Sequence, residues 1–426
     1  MGILGRLSRF LGPGLISGAS DDDPSGIVTY AQGGAMFGLG LTWMALFQFP
    51  LLTAIQEMCA RIGLATGSGI MGIVRRYHKT TMFPVLGLLL TANAITIGVD
   101  IGAMGSSVQI LFPGLPLPLI TVSFASFILV TAIFFSYQRY ARMLKFTVLA
   151  LFSYVIAAFV MKTDWSRVFF STFVPHFEFT RGFLMMFVAF FGATMSPYAF
   201  FWQASEEAEE DISRKKIKEM GKGTPRVTKK DIRIMRAENV LGMAFSQIIM
   251  WFIIIATANA LHTNNTQALS TADQIARSLE PMVHDFPNAG KAAEVLFAVG
   301  IIGTGLLAVP VLASSSAYAM SESLGWKRGL SKKFGQARGF YMIIIISTAI
   351  GLLMNLIHID PATALVYASM ISGVMTVPLL VVILRISNDK RILGGKTNGP
   401  LSNILGWLTV VIMGASSASM FVLFLL

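Results

Sequence analysis

The sequence predicts an all-α membrane protein of eleven transmembrane helices, an inverted repeat of five plus five with one helix added, in which helices 1 and 6 are broken mid-span. Three observations carry this. Of 426 residues, 54% are hydrophobic and only 13% charged, with a mean hydropathy of +0.67, which leaves too little polar surface for a water-facing domain. Apolar runs near the roughly 20 residues that a bilayer crossing requires fall at 11–38, 40–62, 84–112, 117–136, 143–161, 182–204, 237–260, 292–320, 339–357, 361–385 and 403–426. The first and sixth runs are each interrupted by a proline after a similar stretch, "GASDDDPSG" and "GATMSP".

Orientation follows from the basic residues. All but five of the 33 lysines and arginines fall on one side of the scheme, the exceptions being Lys162, Arg167, Arg181, Arg277 and Lys291. The positive-inside rule then places the N-terminus in the cytoplasm and the C-terminus outside, in a plasma (inner) membrane. The net charge of +11 is therefore loop charge, and nucleic acid is not an expected partner; neither is an obligate protein partner. Arg6 and Arg9 before an apolar stretch imitate a secretory leader, but Gly12–Gly14 ("GPG") interrupts its core, so the segment reads as retained. The single cysteine, Cys59, excludes an internal disulfide.

The repeat divides the chain into 1–162, 163–385 and the added helix 386–426, with a charged cytoplasmic loop at 205–236 that turns from "EEAEED" to "SRKKIKEMGKG" and reads as a solvated helix pair or a connector. In the outer loop, "TADQIARSLEP" reads as a surface helix capped by Thr271.

Helix 1 poses the chemical question. A carboxylate at the bilayer centre costs roughly 2.5–3.5 kcal/mol on insertion scales, yet Asp21, Asp22 and Asp23 lie together there, and Asp100 lies in span 3. Every histidine falls in a loop or at a span end, and Glu57, near the cytoplasmic end of span 2, reads as structural. Pro24, Ser25 and Gly26 interrupt the helix beside the acids, and Pro197 does the same in span 6. Unwound segments free carbonyls to act as ligands, which a membrane tolerates only in a protein-lined or wet cavity. Two such breaks in spans of opposite direction mark a midplane binding site in a transporter of inverted repeats. Simple proline kinks would explain the prolines but not the acids.

"GPGLISGASDDDPSG", "GATMSP" and "GIIGTGLLAVPVLASSSAYA" together resemble the Nramp family of divalent metal transporters, and within it the Nramp-related magnesium and manganese branch. The resemblance implies a LeuT-type fold and transport by alternating access. The family's Asp-Pro-Gly-Asn falls on Asp23, Pro24, Ser25 and Gly26, so the aspartate is kept and the asparagine is lost. Its Ala-x-x-Met-Pro-His falls on Ala193 to Tyr198, so Ser196 stands for the thioether and Tyr198 for the histidine. Met370 stands where the family often has glutamine. The implied ligands are Asp23, carbonyls around Ser20 and Ala193, and hydroxyls of Ser25 and Ser196, with Asp21 and Asp22 shaping a vestibule or adding a second ligand.

Of the family's proton path only Asp100 remains as a charge relay; Ala103 replaces its second acid, and "YMIIIISTAIGLLMN" has no arginine. These departures point to harder ions such as magnesium or manganese in a roomier site, to weak or absent proton coupling, and to no bound cofactor beyond the transported ion. A proton-coupled manganese or iron importer and an organic-solute symporter of the same fold are the competing readings. Three aspartates oppose a substrate carboxylate. An enzyme is not expected, since no His-Glu-x-x-His motif or mid-span histidine is present.

Overall fold

The computed structural model describes residues 13–134, 151–161, 163–262, 275–276, 289–355 and 361–425. Arg6, Arg9, Arg139, Arg142, Lys145, Lys162, Thr271, Arg277, His284 and His358 lie outside the described residues. All named elements are helical: α1 Pro13–Asp21, α2 Pro24–Phe37, α3 Thr42–Thr66, α4 Ile70–Tyr77, α5 Met82–Leu111, α6 Leu117–Phe134, α7 Phe152–Val160, α8 Trp165–Phe173, α9 Arg181–Thr194, α10 Pro197–Ser213, α11 Lys229–Leu261, α12 Ala289–Leu324, α13 Arg338–Met354, α14 Pro361–Asn388 and α15 Pro400–Leu425.

Every apolar run of the sequence carries helix. Among the described residues, eight helical stretches are long and apolar enough to cross a membrane, one of them the joined Pro24–Thr66, and α13 is a shorter apolar helix. The helices at the rim look outward with bare hydrocarbon: on α6, Leu119 is 59% and Phe134 77% exposed. Such a face is stable against lipid and not against water.

The two expected breaks are present, and each is made by local chemistry. Asp23 is the N-cap of α2, with φ −71° and ψ 170°, and its carboxylate accepts from the Gly26 amide at 2.7 Å. Pro24 takes the first helical position, where its missing N–H costs nothing. A capping side chain of this kind stabilises a helix start by about 0.5–2 kcal/mol. In the second break α9 ends at Thr194 and α10 begins at Pro197, with Ser196 as an N-cap residue whose side chain does not cap.

Around these breaks the helices pack backbone to backbone. α11 lies against both halves of the first broken helix, α1 and α2. Gly18 and Gly242 meet there so closely that a Cβ on Gly18 would enter the Gly242 main chain. α9 and α14 approach in the same way at Gly192, where a Cβ would strike the Ser369 carbonyl and Gly373.

The 205–236 loop departs from expectation. Its acidic half is not a solvated helix of its own but the last turns of α10, with Glu207 and Asp211 buried. Lys216 holds Asp211 at 3.0 Å and Asp231 at 3.4 Å, tying the loop to the start of α11. There Thr228 and Asp231 form a reciprocal cap. Glu57 is structural as expected, accepting from Arg61 at 2.6 Å and Arg236 at 2.7 Å.

Candidate functional site

The first break presents three carboxylates to the interior. Asp21 and Asp22 are wholly buried and Asp23 is 1% exposed. Asp23 Oδ1 accepts from the Ser25 hydroxyl at 2.6 Å as well as from the Gly26 amide, so capping and site chemistry share one oxygen. Its Oδ2 lies 3.1 Å from the Tyr198 hydroxyl, which also lies 2.6 Å from the Ser20 carbonyl. One phenol thus joins the end of α1, the start of α2 and the start of α10.

Asp21 and Asp22 turn to α11. Ser246 reaches Asp22 Oδ1 at 3.2 Å and Asp21 Oδ2 at 3.4 Å, while Asp21 Oδ1 and Asp22 Oδ2 complete no hydrogen bond among the described residues. Asp100 is fully buried on α5, near Asp23 and the Ser25 backbone. None of the ion pairs among the described residues includes any of these four acids.

At the second break the polar groups serve the chain itself. The Ser196 hydroxyl donates to the Ala193 carbonyl at 2.8 Å, with the Gly192 carbonyl at 3.4 Å. Thr376 of α14 donates to the Met195 carbonyl at 3.1 Å, and Thr194 meets the Tyr30 hydroxyl at 3.2 Å. The Met195 side chain belongs to the apolar core.

The sequence-predicted residues therefore separate into two groups. Asp23, Ser25, Gly26 and the Ser20 carbonyl come together at the first break, and Tyr198 joins them. Ala193 and Ser196 bond to each other at the second. Ala103 lies in the core beside the site helices, and Met370 is half-buried against it. On α14 it is Ser369, missed by the sequence reading, that turns to the first break: it accepts from Thr29 at 3.0 Å and lies 3.5 Å from the Ser25 carbonyl. Thr29 follows Ser25 by four residues on α2, a same-face spacing that was available in the sequence.

Gly26 sits inside the turn of the first break. A Cβ there would meet the Asp21 carbonyl at 3.3 Å and Asp23 Oδ1 and Tyr30 at 3.5 Å each, so the position is enclosed. The break turns so sharply that the α1 terminus closes over the glycine.

Residues 14–423 match the family described as Natural resistance-associated macrophage protein-like, Nramp. The chain belongs to the Nramp family. Nramp proteins are transporters and not enzymes. Among Nramp relatives, the divalent metal cation transporter MntH of Bacillus subtilis is 24% identical over 419 residues, spanning 96% of this chain and 91% of that one. MntH of Deinococcus radiodurans is 22% identical, spanning 96% and 88%. The Eremococcus coleocola manganese transporter, solved with an aromatic bis-isothiourea substituted compound, superposes with a TM-score of 0.74 at 17% identity, covering 98% of this chain and 87% of that one. MHP1, a nucleobase-cation-symport-1 family transporter, superposes at 0.52 with 15% identity, covering 96% and 92%. The fold of this Nramp chain is accordingly the LeuT-type fold, with one helix broken between α1 and α2 and another between α9 and α10.

Proposed function

We infer that this protein carries divalent metal cations across the plasma membrane by alternating access, with its N-terminus in the cytoplasm. The observation that carries the reading is the set of three buried carboxylates at a helix break, none of them held in an ion pair among the described residues. Buried acids persist in a membrane protein where a cation answers them. The curated relatives are named for divalent metal transport, and the similar solved structure for manganese.

Asp23 supplies the anionic ligand through Oδ2, and the Ser20 carbonyl supplies a neutral one beside it. Ser25 orients Asp23 through Oδ1, while Ala193 and Ser196 form the opposite wall. Asp21 and Asp22 set the negative potential of the vestibule. The two five-helix repeats, 1–162 and 163–385, rock about this point, and 386–426 stays outside the pair.

Carboxylate, carbonyl and hydroxyl oxygens suit hard ions, magnesium or manganese, over softer ones. With Asp100 as the sole acid of span 3 and a phenol in place of an imidazole, proton coupling is weak or absent. The membrane potential then drives entry at about 2.3 kcal/mol per charge per 100 mV.

The test is uptake into proteoliposomes carrying an internal pH dye. Magnesium and manganese should enter saturably without acidifying the lumen, and Asp23→Ala should stop both. Lumenal acidification that tracks the metal would instead establish a proton-coupled importer.

A further inference from the structure

A carrier that runs downhill without a proton must bring its unloaded binding site back across the membrane. Bare, Asp23 would make that step costly, because a buried charged group lacking its partners pays its full desolvation. Its Oδ1 accepts from Ser25 and Gly26. Oδ2 and the Ser20 carbonyl are the atoms that lose their partner when the ion leaves, and both lie against the same phenolic oxygen, at 3.1 Å and 2.6 Å.

We propose that Tyr198 is the positioning residue of the unloaded return step, its hydroxyl taking the place on Ser20 and Asp23 that the cation vacates. The proposal rests on the transport reading above. A hydroxyl has one proton to give and two acceptors to satisfy, so at any instant one of them is underserved. A divalent cation satisfies both at once, and binding therefore displaces the phenol readily. The latch holds well enough to return and yields to the ion. Tyr198 is 2% exposed and belongs to a buried apolar cluster that also includes Ile97, Ile101 and Leu312, while Ser315 donates at 2.9 Å to its main-chain carbonyl and does not touch the hydroxyl.

Net uptake requires the unloaded return; exchange of lumenal for external manganese does not. Tyr198→Phe keeps the ring and removes the hydroxyl. In proteoliposomes it should raise the ratio of exchange rate to net uptake rate about tenfold or more, the scale of one hydrogen bond to a charged group. Ser315→Ala, which loses only the contact to the Tyr198 carbonyl, should leave that ratio at the wild-type value. Exchange and net uptake falling in equal proportion in Tyr198→Phe would make the phenol part of the cation's own shell or of the fold, and would overturn the proposal. So would an unchanged ratio, or a Ser315→Ala ratio that rises with it. Absence of saturable manganese exchange in the wild type would instead defeat the transport reading itself.

Discussion

The two helix breaks are alike in sequence and unlike in what they do. At the first, an aspartate starts the second half-helix and keeps one oxygen facing inward; at the second, a serine turns back to its own helix end and offers the site nothing charged. One break therefore carries three buried carboxylates and the other none, and on the transport reading proposed above the second supplies wall and latch. Each motif departs from the family pattern at two positions, Ser25 and Gly26 in the first and Ser196 and Tyr198 in the second, but the first keeps its aspartate.

The contrast is easiest to break at its strongest point. Asp23→Ala should lower divalent uptake on the order of a hundredfold, in keeping with about 2–5 kcal/mol for removing one partner of a buried charged contact. Transport that survives this substitution would put the anion elsewhere, at Asp21 or Asp22. Next comes the frame: Gly192→Val drives a side chain into the Ser369 carbonyl and Gly373, and should cost about 1–3 kcal/mol of stability by overpacking. A thermal melt in detergent reads this directly, and an unaltered midpoint would mean that α9 and α14 are not in main-chain contact.

Thr376→Val leaves the Met195 carbonyl without its donor, at about 1–3 kcal/mol for an unsatisfied buried acceptor. Uptake should fall several-fold, with the apparent affinity for manganese measured alongside. Ser196→Ala sharpens the comparison further. It removes a contact the chain makes with itself, so stability should drop by about 0.5–1.5 kcal/mol while manganese affinity changes little. Damage equal to that of Asp23→Ala would show the hydroxyl to be a direct ligand.

The smallest effect is expected outside the membrane. Hydrogen bonds from the Arg391 side chain, joined by its amide, hold Asp389 down from 3.8 to about 2. A depressed carboxylate contributes stability above its unfolded value and loses it only as pH falls towards 2. Asp389 therefore stays charged from pH 7 to pH 5, and Asp389→Asn should leave the pH profile of uptake over that window unchanged.

Much of this was legible in the sequence because it is local. "DDDPSG" contains a helix cap, a first-turn proline and the acids within six residues, and "ATMSP" places the second break to the residue. The long-range partners were not legible. Nothing in the chain near Asp21 announces Ser246, 225 positions away, as its neighbour. Tyr198 was read as a lost histidine because its hydroxyl acquires meaning only when α10 is laid against the end of α1. The acidic run after Gln203 looked solvated because its charges are plain in the sequence, while Tyr318, which donates to Glu206, and the Ser331 amide, which donates to Glu209, lie 112 and 122 positions away.

Asp23 begins a helix and, on the transport reading proposed above, anchors the ion as well. A pull on one of its oxygens is felt through three bonds by the amide of Gly26 and by the first turn of α2 behind it. On that reading cargo and lever arm are joined at a single side chain, and the arrival of an ion reaches the scaffold without any relay between them.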